Sequence, residues 1–78
     1  MSEYKEYLTN RINQLRMLFD NQKAAENILP AFDKLDENSD DYNWKLLHNG
    51  HAAAAFDMIK ELENALKQYD LCHPQTIL

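Results

Sequence analysis

Residues 46–59 read LLHNGHAAAAFDMI, and the way this stretch folds decides the architecture of the whole chain. His48 and His51 stand three apart, with Asn49 and the only glycine, Gly50, between them. Such a segment can be a turn at Asn49-Gly50, a metal-binding pair or the packing face of a helix. The helix reading extends furthest in both directions. From about Tyr42 to Tyr69, Leu47, Ala54, Met58, Leu62, Ala65 and Tyr69 fall on one stripe at roughly 100° per residue. Trp44, Ala55, Ile59 and Leu66 lie beside it, and Ala52 and Phe56 widen it. Asp57, Lys60, Glu61, Asn64 and Lys67 gather on the other side.

The resulting apolar arc is about 200° wide, whereas a helix with one neighbour needs only about 100°. This helix therefore expects two neighbours. One is the first arm of the same chain; the other is either the segment around Pro30 or a second molecule. His51 falls near the centre of the arc and His48 towards one side, which predicts buried or interfacial histidines. As metal ligands they are weak candidates, because no carboxylate shares their face within a turn and a site needs a third or fourth donor. Gly50 points to the polar side, as a tolerated weak point, a break in the helix, or a place of close approach by a partner backbone.

Upstream, Tyr4, Leu8, Ile12, Leu15 and Phe19 repeat at steps of four and three behind a capping Ser2. Glu3 and Glu6 sit in the first turn, near the positive end of the helix dipole. In AENILPAFDKL, residues 25–35, the phase of the apolar residues shifts and Pro30 intervenes. Proline cannot donate its backbone nitrogen, and it disfavours helical dihedrals at Leu29. A kink or break between about Asn21 and Leu29 is expected; if a new helix starts there, Asn27 is its candidate cap.

DENSDD, residues 36–41, is a polar turn with Asp40 or Asp41 as the cap of the last helix. Asp36, Asn38 and Asp40 match the first ligands of a calcium loop. Asp41 stands where that loop needs glycine and Leu47 where it needs a bidentate glutamate, so an EF-hand is not supported. Asp33, Asp36, Glu37, Asp40 and Asp41 form an acidic patch that reads as a solvated turn or as a surface for a basic partner. CHPQTIL, following the last helix, is expected to be a loose tail.

Thirteen acidic and eight basic residues give a net charge of −5, and Arg11 and Arg16 are the only arginines. This speaks against direct binding of nucleic acid or an anionic membrane. The single cysteine, Cys72, makes no internal disulfide and points to a reducing, cytoplasmic setting. No secretory leader is visible in MSEYKEYL. The longest apolar run, Ala52–Phe56, is far below the roughly 20 residues of a membrane helix. One glycine excludes phosphate loops, dinucleotide fingerprints and nucleophile elbows.

The sequence thus predicts one all-α domain over residues 1–70, with a tail at 71–78. Its architecture is a helical hairpin or small three-helix bundle, with the first arm kinked or broken near Pro30 and a long C-terminal helix. Pairing into a homodimer is expected, because a single core in a chain of this size supplies only about 3–5 kcal/mol. The expected function is non-enzymatic protein binding without a cofactor, as a small adaptor, inhibitor or chaperone-like subunit. The expected contact residues are Trp44, Leu47, His51, Ala55, Phe56 and Ile59. The alternatives are an acidic, phage-type inhibitor of a nucleic-acid-binding or defence protein acting through the turn, and a metal-dependent hairpin using His48 and His51.

Overall fold

Helix α1, Glu3–Glu26, begins where the Ser2 side chain accepts a hydrogen bond from the Lys5 backbone N–H at 3.3 Å. In this computed structural model, which describes residues 2–73, α1 stays α-helical as far as Glu26 and then stops. Pro30 would have to bond the Glu26 carbonyl if the helix continued, and it has no N–H to give. Asn27 is therefore the C-cap of α1, not the start of another helix. Only one 3-10 turn, Phe32–Lys34, follows before the second long helix. The first arm ends before Pro30, and the fold is a hairpin.

Helix α2 spans Asp40–Cys72. Its cap is Ser39, whose Oγ accepts from the Tyr42 N–H at 3.1 Å. This corrects the expectation of an aspartate cap. Asp36 holds Ser39 in place: the Ser39 N–H and hydroxyl both donate to the Asp36 carbonyl, at 2.9 and 2.6 Å. Asp40 and Asp41 instead occupy the first turn, where their charge opposes the helix dipole. The helix runs unbroken through Asn49-Gly50. It also passes Tyr69, so Leu71 and Cys72 are helical, while residues 74–78 of the expected tail lie outside the described residues.

The two helices pack antiparallel along one seam, forming a rod of 60 × 17 × 15 Å. Leu8, Ile12 and Leu15 of α1 and Ala52, Ala55 and Ile59 of α2 are its buried apolar residues. Phe19, Leu62 and Leu66 pack against this core from its edges. Tyr4 and Tyr69 meet at the open end, with ring centroids 5.6 Å apart, and Phe32 meets Tyr42 edge-on at the closed end. Both core rows advance by alternating three and four residues, the spacing of coiled-coil packing.

The hairpin covers only part of the arc anticipated on α2. His51 is exposed, as are Leu47 and Met58. The buried side of α2 is instead centred on Ala52, Ala55 and Ile59, joined by Lys45. One partner helix cannot cover an arc of about 200°, and within a single chain α1 is the only long helix available among the described residues.

Candidate interaction surface

Each helix carries a second heptad-spaced row, one position before its core row. On α2 the core row includes Lys45, Ala52, Ala55, Ile59, Leu62 and Leu66. The displaced row is Trp44, Leu47, His51, Ala54 and Met58. On α1 the displaced row is Tyr7, Arg11, Gln14 and Leu18, beside the core residues Leu8, Ile12, Leu15 and Phe19. One residue turns the helix by about 100°, so these rows point to a flank of the hairpin.

The ion pairs fix which flank. Arg16, one position after Leu15, binds Glu63, one position after Leu62, at 2.7 Å. Lys5 and Asp70 meet on the same flank at 2.9 Å. Residues one step after the core thus form a polar flank on both helices, and residues one step before it share the opposite flank. That second flank exposes large apolar side chains: Leu47 is 53% exposed, Met58 43%, Trp44 39%, Tyr7 60% and Leu18 44%. Between Trp44 and Met58 its α2 row holds no Asp, Glu, Lys or Arg. Scattered exposed apolar residues are ordinary, whereas this row is contiguous.

The anticipated contact residues therefore separate. Trp44, Leu47 and His51 lie together on the apolar flank. Ala55 and Ile59 are instead consumed by the contact with α1 and are not free for a partner. Phe56 belongs to the ion-paired side, where it lies 6.0 Å from the Phe19 ring and under the Lys60 ammonium. Ala54, Met58 and Leu18 are the additions. Met58 and Ala54 were in the sequence stripe, but the one-residue offset between the two rows is only visible once the inner row is known.

His48 and His51 lie with ring centroids 6.1 Å apart. Nδ1 of His48 is engaged by Oε1 of Gln22, and its ring packs edge-on against Trp44 at 4.2 Å. Among the described residues, no three His, Cys, Asp or Glu side chains gather in a metal-binding arrangement. The five acidic residues of the turn are all exposed. Asp36 works locally, accepting from the Asn38 N–H at 3.0 Å. No helix among the described residues is long and apolar enough to cross a membrane.

The closed end holds a polar cluster that the sequence did not reveal. Glu26 and Lys45 are both buried. The Lys45 ammonium donates to the Glu26 main-chain carbonyl at 3.0 Å and lies 3.8 Å from its carboxylate. Lys23 and Asn49 donate to the two carboxylate oxygens at 3.0 and 3.1 Å. Burial on its own would push the Glu26 carboxyl up. The hydrogen bonds from Lys23 and Asn49 and the positive charges of Lys23 and Lys45 outweigh it, and hold the carboxyl below its ordinary value. This cluster is saturated with internal partners and offers no free group to a ligand. No family model, curated protein or solved structure matches the chain.

Proposed function

We propose that this chain is a non-enzymatic protein-interaction module, an adaptor, inhibitor or chaperone-like subunit, and that the apolar flank is its binding surface. The observation that carries this reading is the second heptad row Trp44–Leu47–His51–Ala54–Met58, exposed on the flank opposite the Arg16–Glu63 and Lys5–Asp70 ion pairs. Such a row suits a helical surface, into which its side chains pack as knobs into holes. Homodimerisation through this flank is part of the proposal, as is a cytoplasmic setting, which rests on the single exposed cysteine and the acidic charge.

A photoreactive amino acid at position 47 or 58 tests the surface directly. Illumination should give protein adducts at both positions and none at Asp57 or Asn64. Adducts confined to Glu37, in the turn, would move the function to the acidic patch and support the inhibitor reading.

A further inference from the structure

The geometry points to a second copy of this chain as the occupant of the apolar flank, packed α2 against α2 in antiparallel orientation with the two His51 side chains at the dyad. This inference rests on the proposed role of the flank and specifies how the flank is filled.

The row on α2 is self-complementary about His51. Trp44 lies seven residues before it and Met58 seven after; Leu47 lies four before and Ala54 three after. An antiparallel copy therefore sets Trp44 against Met58 and the large Leu47 against the small Ala54, the alternation that lets facing layers interdigitate. The row is bounded by charge almost symmetrically, at Asp40 and Glu61. A register shifted towards either end would drive one of these carboxylates into the apolar seam, with loss of hydration. On α1, Leu18 falls opposite Ala25 of the copy in the same register. A polar residue within an apolar row is a known device for fixing register, and His51 is the one polar residue between Trp44 and Met58 on the α2 row.

The acidic turns distinguish the two ways of stacking the flanks, although the antiparallel register also brings Asp40 of each chain beside Glu61 of its copy at the ends of the seam. With the dyad parallel to the helices, both acidic turns would meet at one end, Asp33, Asp36, Glu37, Asp40 and Asp41 against their copies. The antiparallel arrangement puts the turns at opposite ends, each beside the partner level that carries Arg11, the one cation of the displaced row. The rod is 60 Å long and 17 Å wide. Centred on His51, the two α2 helices overlap from Asp40 to Leu62 of each copy, roughly 33 Å, which gives an interface below the roughly 800 Å² per partner of a standard one and in the range of a weak pairing. Two rows per helix then serve two neighbours, as in a four-helix bundle.

The full chain carrying His51→Cys and Cys72→Ser tests this. Light scattering should give twice the monomer mass, and mild oxidation should link the chains through position 51. The control Asp57→Cys, Cys72→Ser, on the far side of α2, should stay unlinked. Met58→Asp should weaken dimerisation at least tenfold, with the helical circular dichroism signal of the hairpin retained. A dimer that links neither in the His51→Cys chain nor in a mixture of Trp44→Cys and Met58→Cys chains overturns the register and leaves the flank as the interaction surface. A folded monomer at about 100 µM overturns the second copy as occupant; photo-adducts to another protein at position 47 would then still uphold the flank's role.

Discussion

The ammonium of Lys45 donates to the main-chain carbonyl of Glu26 across the closed end of the hairpin, at 3.0 Å, with the Glu26 carboxylate 3.8 Å away. Pro30 explains why that carbonyl is in need of a donor. The residue four positions after Glu26 has no N–H, so the last turn of α1 would keep a poorly satisfied acceptor in a buried place. Leu29 supplies one bond at 3.3 Å, and Lys45 supplies the other. The break in the first arm and the buried lysine of the second are thus one feature.

Replacing Lys45 by methionine keeps much of the volume and removes this donor. It leaves the Glu26 carboxylate with Lys23 and Asn49 alone. Breaking one side of a buried pair costs about 3–5 kcal/mol; retention of Lys23 places the expected loss at the lower end. Urea unfolding should show it as a lower midpoint. An unchanged midpoint would mean that the cluster contributes nothing net to folding.

Acid should weaken the fold through the same cluster. The folded chain holds the Glu26 proton more weakly than the unfolded chain, because its carboxyl lies below the ordinary value of 4.5. The stabilisation is therefore complete above that value and is lost as pH falls through the lower folded value. Thermal melts between about pH 7 and 3 should fall accordingly, with Glu26→Gln giving a lower but flatter profile. A Glu26→Gln profile as steep as that of the unaltered chain would assign the acid sensitivity to other carboxylates.

The parts of the fold legible in the sequence are those set by local chemistry. The steps of three and four from Leu8 to Phe19 announce α1, and Ser2 and Pro30 mark its limits. The apolar arc on α2 announces a long helix packed on the first arm. The orientation of that arc was not legible. Its centre by composition lies near His51, because Leu47, Ala54, Met58 and Ala65 outweigh the small Ala52 and Ala55. The helices choose the alanine side because small residues let them approach closely, and because Lys45 continues that row. A lysine on an apolar row, matched by Glu26 on the continuing row of α1 after Leu8, Ile12 and Leu15, was the available signal. It is a weak one when the pairing of the arms is unknown.

Ser39, not either aspartate, should carry the start of α2. Ser39→Ala removes the acceptor for the Tyr42 N–H and the hydroxyl donated to Asp36. Loss of such a cap costs about 1 kcal/mol, read as a lower denaturation midpoint. Asp40→Asn and Asp41→Asn should each cost less, since they change only the interaction with the dipole, worth about 0.3–1 kcal/mol. An aspartate variant more harmful than Ser39→Ala would return the cap to the aspartates.

Gly50 occupies an uninterrupted helix with open space around its missing Cβ. Gly50→Ala should therefore stabilise the chain by about 1 kcal/mol, since no contact within the hairpin opposes the methyl group. Differential scanning calorimetry reads this as a higher melting temperature. A lower one would reveal a backbone packed on Gly50 from outside the hairpin.

Two neighbouring residues of α2 separate the inner row from the outer. Ile59 is 7% exposed and joins Ile12 and Leu15 in the core, whereas Met58 is 43% exposed on the flank. An aspartate at 59 would hold an ionised carboxylate among these side chains with no cation beside it, and transfer of an unpaired charge from water exceeds what a core of this size supplies. Ile59→Asp should abolish the cooperative helical melt at any protein concentration. An aspartate at 58 remains hydrated in the single hairpin, so Met58→Asp should keep its helical signal and lose only assembly. Circular dichroism at several concentrations distinguishes them. Equal, concentration-independent melting of the two variants would show that the inner row of α2 is not the one built around Ala52, Ala55 and Ile59.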